Sequence, residues 1–144
     1  MDKILIIQDS PSINIVLKSR LESAGFSVEA AETGEEGIRK ANGGKYQLIL
    51  LDLNLPGMSG IEVSRILKGQ DNTKGMPIVL ISAMDEEEVS KRMKGLYVDG
   101  YIAIPFEGKD FIEKIKGFIK NSYFEKQNKC RKSKQKSKTI NSRN

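Results

Sequence analysis

The 144-residue sequence contains no histidine, no tryptophan and one cysteine. The lack of histidine and the single cysteine each exclude a kind of site. Without histidine, the chain lacks both the commonest zinc ligand and the commonest general acid–base group of enzymes. The lone Cys130 has no partner for an internal disulfide, which is typical of proteins in a reducing compartment.

Long apolar runs are also missing. No stretch approaches the roughly 20 apolar residues of a membrane-spanning helix. The first residues, Met1-Asp2-Lys3, lead into only four consecutive apolar residues, which is too short for the core of a signal peptide. We therefore expect a cytoplasmic protein with no membrane partner.

The formal net charge of +5 is unevenly distributed. Residues 121–144 hold eight Lys/Arg and one Glu, a net charge of +7, whereas residues 1–120 carry a net charge of −2. We predict one folded domain over 1–120 and a disordered, Lys-rich tail over 121–144, because the tail has too few apolar residues to fold. The tail has two interpretations: a solubilising extension, or an arm that binds nucleic acid through its phosphates.

Five apolar runs alternate with helical patterns along residues 1–120. The predicted strands cover 4–7, 26–30, 46–52, 77–82 and 101–104. Ser10 and Pro11 suit the start of a first helix, a short second helix is expected over 34–41, and Ser59 with Glu62 fits a capping box for a third. One helix after each strand predicts an α/β fold in which helices cover both faces of a parallel sheet.

Asp52 is the most unusual residue of this pattern, because it closes the apolar run 48–51 and a Pro56-Gly57 turn follows it. A strand buried on both faces normally avoids an ionised side chain. Open α/β sheets bind their ligands at the carboxyl ends of the strands, and Asp9 and Ser82 also stand at strand ends. The alternative is that Asp52 merely caps a helix or stabilises a turn.

Together these features resemble the receiver domain of two-component response regulators, of the stand-alone chemotaxis-regulator type. The resemblance spans residues 1–120. It rests on Gln8-Asp9, the segment 52–60, Ser82-Ala83, Tyr101 and Pro105-Phe106, all in the family's order and spacing. It implies a flavodoxin-like, doubly wound sheet of five parallel strands in the order 2-1-3-4-5.

The resemblance also implies a function. Asp52 would accept a phosphoryl group from a histidine kinase in a Mg²⁺-dependent phosphorelay, with Asp9, Asp52 and the backbone carbonyl of Asn54 as metal ligands. Ser82 would donate its hydroxyl to the phosphoryl group, and Tyr101 would be the aromatic switch. Such a protein is not an enzyme beyond its own phosphotransfer and self-dephosphorylation.

Two residues depart from the family's pattern. Gln8 stands where an acid is usual, and Ile104 replaces a lysine that neutralises phosphoryl charge. The usual site has three carboxylates and one ammonium, which give a formal charge of −2. Asp9 and Asp52 alone give the same formal charge. We hypothesise that the two replacements compensate each other, with Gln8 holding a metal-bound water. The alternative is decay of an unused site in a pseudo-receiver that acts independently of phosphorylation.

No pattern of an output domain follows residue 120 in the sequence. We therefore expect the protein to act by docking, as a monomer or weak dimer, through the face made by the fourth and fifth strands and the last two helices. The expected partners are a sensor histidine kinase or phosphotransfer protein and an unknown downstream protein. A nucleic-acid-associated protein using the basic tail is a further alternative.

Overall fold

The structure, a computed structural model, describes residues 2–83, 85–92, 98–104 and 109–120. The predictions for Pro105, Phe106 and the tail 121–144 lie outside these residues. Among the helices of the described part, none combines the length and hydropathy that a membrane span requires.

Strands and helices alternate along the described chain, as the apolar runs predict. In chain order they are β1 (Lys3–Ile7), α1 (Pro11–Ser23), β2 (Ser27–Ala31), α2 (Gly34–Gly43), β3 (Leu48–Asp52), α3 (Gly60–Gly69), β4 (Ile78–Ser82), α4 (Glu86–Arg92), β5 (Gly100–Ala103) and α5 (109–120). The observed strand limits differ from the predicted ones by one or two residues.

The five strands form one parallel sheet in the order β2-β1-β3-β4-β5, which confirms the predicted topology. In this register Asp52 lies opposite Ile81, and Ser82 lies opposite Ala103. The carboxyl ends of β1, β3 and β4 are therefore neighbours at one edge of the sheet.

Two apolar layers, one on each face of the sheet, explain why the central strands are almost continuously apolar. Leu5 and Ile7 belong to one layer, together with residues of α2 and α3. Ile4 and Ile6 belong to the other layer, together with residues of α1 and α5. Because successive residues of a strand point to opposite faces, a strand covered by helices on both sides must be apolar at every position.

The first turn of α3 packs directly on the backbone that follows Asp52. Ser59 caps the helix by accepting a hydrogen bond from the Glu62 backbone N–H at 3.2 Å, and the Gly60 N–H donates to the Leu53 carbonyl oxygen at 3.1 Å. A Cβ atom on Gly60 would meet the Asp52 carbonyl oxygen well inside van der Waals contact and Leu53 Cα at 2.8 Å. Glycine at this position therefore lets α3 approach the end of β3.

We predict that Gly60→Ala destabilises the protein, because the new methyl group must displace backbone atoms. The free energy of unfolding, measured with urea, should fall by about 2 kcal/mol, as for other overpacked sites. Gly69→Ala at the other end of α3 is the matched control, because a Cβ there meets nothing within 4 Å. It should be neutral or stabilising by up to about 1 kcal/mol, and equal losses in both variants would contradict the close approach.

Candidate functional site

The carboxyl edge of the sheet brings most of the predicted site residues together. Gln8 and Asp9 directly follow β1, Asp52 ends β3 and Ser82 ends β4. Because β1, β3 and β4 are adjacent, these side chains come from three neighbouring strand ends.

Asp52 is partly buried, and its carboxylate is held by its own turn. Its Oδ1 atom accepts a hydrogen bond from the Asn54 backbone N–H at 3.1 Å. Burial raises the pKa of Asp52 above its ordinary value, and the negative charge of Asp9 raises it further. Hydrogen bonds from the Asn54 backbone and from the Gln8 side chain lower this pKa, but they do not cancel the effect of burial.

Gln8 is almost fully buried, at 2% exposure, and is bound on several sides. Its side-chain Oε1 accepts from the Ser10 backbone N–H at 3.2 Å, and its backbone carbonyl accepts from Asn14 Nδ2 at 2.8 Å. Gln8 also lowers the pKa of the Asp52 carboxyl group, against the larger effect of burial. Its side chain and its backbone thus hold Gln8 beside the start of α1.

Ser82 is the last residue of β4, and Tyr101 is the second residue of β5, where it pairs with Leu80. Ser82 is 2% exposed, and its backbone carbonyl accepts a hydrogen bond from the Tyr101 hydroxyl at 3.3 Å. Tyr101 is half-buried and packs against the apolar layer of α2 and α3. The aromatic ring is thus linked to the backbone of the serine proposed to contact the phosphoryl group.

Ile104 continues the pairing of β5 with β4, because its N–H donates to the Ser82 carbonyl oxygen at 2.9 Å. Its half-buried side chain packs against the apolar layer of α1 and α5. Together with residues of α1 it lines a groove of about 220 Å³; those residues are Ser12, Ile13, Val16 and Leu17. Ile104 therefore adds apolar surface beside α1 and no charge to the strand-end edge.

The strand-end edge offers the oxygen ligands that a hard divalent cation prefers. Asp9 raises the pKa of Asp52, so the two carboxylates are close enough to repel each other, and a bound cation would relieve that repulsion. Within the described ranges no group of three His, Cys, Asp or Glu residues could hold a metal ion. Two carboxylates fall short of an all-protein cage, so a cation at this edge would need a carbonyl oxygen and water to complete its shell, as is usual for Mg²⁺.

The family profile of the response regulator receiver domain matches residues 4–116. The chain belongs to this family, and its five-stranded sheet is the flavodoxin-like fold predicted from the sequence. Receiver domains are phosphoacceptor signalling modules and not enzymes that act on separate substrates.

Individual relatives agree with this assignment. The transcriptional regulatory protein ResD of Bacillus subtilis (strain 168) is 35% identical over 128 residues, which cover 85% of this chain and 51% of ResD. The CheY-like receiver domain protein from Methanospirillum hungatei JF-1 has 30% identity and a TM-score of 0.79, covering 87% of this chain and 98% of that one. The chain spans about half the length of the curated relatives it matches.

A third relative connects the family to magnesium. The response regulator TrrA from Thermotoga maritima, whose structure is in complex with Mg²⁺–BeF, is 31% identical with a TM-score of 0.72. The match covers 82% of this chain and 99% of TrrA. Mg²⁺ is thus a ligand of receiver domains of this fold.

Asn14 is a site residue that the sequence reasoning missed. It lies on the buried stripe of α1 with Leu17 and Leu21, is 8% exposed, and donates to the Gln8 carbonyl oxygen. The signal was present in the sequence, because Asn14 stands three residues before Leu17 on a helix face that is otherwise apolar. A polar residue within such a stripe is expected to have a hydrogen-bond partner.

We predict that Asp52→Asn stabilises the protein without metal at neutral pH. Because folding raises the pKa of Asp52, the folded state binds the proton more tightly, so stability falls as pH rises from the ordinary pKa through the raised one. The variant stays neutral and should melt a few degrees higher at pH 7 in EDTA, with the gain disappearing below about pH 4.

Asp71→Asn is the control for this comparison, because the Asp71 side chain is exposed and forms a surface ion pair with Lys74. Its melting temperature should change little at either pH. If Asp52→Asn raised the melting temperature equally at pH 7 and below about pH 4, the result would show that ionisation of Asp52 does not oppose folding.

Proposed function

We propose that this protein is phosphorylated on Asp52 by a sensor histidine kinase or a phosphotransfer protein and passes the signal on by docking to a partner. The observation that carries the proposal is the partly buried carboxylate of Asp52 at the end of β3, beside Asp9 and Ser82. Membership of the receiver family supports the same role.

In the proposed reaction, an Asp52 carboxylate oxygen attacks the phosphorus of a phosphohistidine. The new P–O bond forms as the P–N bond breaks, and the histidine leaves with the electron pair of that bond. Bound Mg²⁺ would supply positive charge to offset the phosphoryl oxygens. Asp9, Asp52 and the Asn54 carbonyl would hold the ion, and the Ser82 hydroxyl would donate to a phosphoryl oxygen.

Tyr101 is proposed to transmit the change to the surface. The Tyr101 hydroxyl donates a hydrogen bond to the Ser82 carbonyl oxygen. A shift of Ser82 toward the phosphoryl group would move this oxygen and so disturb the hydrogen bond. The half-buried ring would then favour a different position at the edge of β5. We propose that the surface of β4, β5, α4 and α5 is the one that partners recognise.

We propose that the phosphorelay takes place in the cytoplasm, in agreement with the composition of the chain. The domain 1–120 would carry the signalling function as a monomer or weak dimer, with residues 121–144 as a Lys-rich tail. The alternative of nucleic-acid binding depends on the tail alone, which lies outside the described residues.

We predict that acetyl phosphate with Mg²⁺ adds one phosphoryl group to the protein, because this small donor needs only the acceptor site. Intact-mass spectrometry should detect the added group in the wild type and no added group after Mg²⁺ is removed with EDTA. Asp52→Asn, which keeps the shape but removes the nucleophile, should remain unmodified. An unmodified wild type, or a modified Asp52→Asn, would contradict the proposed function.

We also predict that Ile104→Lys alone weakens Mg²⁺ binding severalfold, because it adds a positive charge beside only two carboxylates. Gln8→Asp alone should strengthen Mg²⁺ binding by a similar factor, and the double variant should return close to the wild-type affinity. Calorimetric titration measures these affinities. Fast phosphorylation restored by Ile104→Lys without Gln8→Asp would contradict the idea that the two replacements compensate each other.

A further inference from the structure

We propose that Lys40 closes the outer edge of β2 to strand pairing, and that without its ammonium group this edge pairs with the same edge of a second copy of the chain. The edge lies on the side of the sheet away from β4 and β5. The role of Lys40 is therefore independent of Asp52 and of the surface proposed for signalling partners.

The outer edge of β2 carries outward-facing backbone groups. Among the described strands, β2 is the last on its side of the sheet and pairs with β1. Successive residues of a strand direct their N–H and C=O groups alternately to either side. The Ser27 N–H and the Ala31 carbonyl both bond to residues that flank β1, each at 2.9 Å. The backbone groups of Val28 and Ala30 therefore face away from the sheet.

Lys40 occupies one of these outward groups. It lies in the last turn of α2, and its Nζ donates a hydrogen bond to the Ala30 carbonyl oxygen at 2.8 Å. A row of outward N–H and C=O groups is a template for an added strand, and lysine is a residue that proteins place at such edges to prevent pairing. An added strand would need the Ala30 carbonyl as an acceptor and would have to displace the ammonium.

The packing of α2 on the sheet brings Lys40 to this position. Gly37 stands three residues before Lys40, and a Cβ atom on Gly37 would meet Ile7 Cδ1 at 2.5 Å and Ile7 Cγ1 at 2.7 Å. Glycine at this position lets α2 approach β1 closely. Residues three apart lie on the same side of a helix, so Lys40 follows Gly37 toward the sheet and is half-buried there.

The chemistry of the edge fits a second copy of β2. A two-fold axis pairs a strand with itself in the antiparallel direction, so the same outward groups serve both protomers. Glu29 is the charged residue of β2, and its carboxylate is already bound by Lys3 at 3.1 Å and by the Tyr46 hydroxyl. Repulsion between two copies of Glu29 is thereby reduced, whereas each protomer brings the ammonium of Lys40 to the junction.

The test compares the self-association of matched lysine variants. Lys40→Met keeps an unbranched side chain but removes the ammonium, and Lys18→Met on the exposed side of α1 is the control. Analytical ultracentrifugation over a series of protein concentrations measures the dissociation constant. We expect Lys40→Met to tighten self-association at least about tenfold, because each protomer loses a hydrogen bond from a charged group. Lys18→Met should match the wild type, and equal self-association of Lys40→Met and the wild type overturns the proposal.

A second variant and a second readout identify the face that pairs. Proline is tolerated in an edge strand when its nitrogen faces outward, so Ala30→Pro removes an outward N–H and spares the bonds to β1. Adding Ala30→Pro to Lys40→Met should return self-association to the wild-type level. In the Lys40→Met dimer, hydrogen exchange should slow at the Val28 and Ala30 amides and stay unchanged at the Glu29 amide. Unaltered exchange at Val28 and Ala30, or self-association that persists with Ala30→Pro, overturns the proposal.

Discussion

The structure depends on one constraint: an ionisable carboxylate must be kept at the end of a strand that is otherwise buried on both faces. The Asn54 backbone N–H stabilises the Asp52 carboxylate there, whereas burial and the charge of Asp9 oppose its ionisation. The close packing of Gly60 on the Asp52 backbone and the capping of α1 by Ser10 both serve this arrangement. A carboxyl group whose pKa is raised by burial and by a neighbouring carboxylate is typical of a site that binds a cation or reacts.

The surroundings of Gln8 and Ile104 show what each departure from the receiver pattern does to the site. Ile104 packs toward α1 and adds no charge to the strand-end edge, whereas Gln8 replaces an acid by a neutral amide held in place by Ser10 and Asn14. Asn14 contributes a buried donor to the Gln8 backbone, although its Oδ1 has no hydrogen-bond partner among the described residues. A buried polar contact that leaves one atom unsatisfied is costly, and its presence favours a retained site over one that has decayed.

Most of the fold could be predicted from the sequence, because each strand is a short apolar run and both α1 and α3 begin with a recognisable cap. The predicted start of β3 was two residues early, because the apolar Tyr46 precedes the strand, whose paired residues begin at Leu48. The hydrogen bonds that hold Gln8 could not be predicted, since the direction of an amide depends on its neighbours. The sequence does show that Asn14 interrupts the apolar stripe of α1, but not that its partner is the Gln8 backbone carbonyl.

The account is tested most directly by a crystal structure of the protein with Mg²⁺ and beryllofluoride, which imitates a phosphoryl group. We expect beryllofluoride on Asp52 and one Mg²⁺ bound to Asp9, Asp52 and the Asn54 carbonyl. An unmodified Asp52 at saturating reagent, or a metal ion that Asp9 and Asp52 do not share, would contradict the claim that two carboxylates at neighbouring strand ends form a working acceptor site.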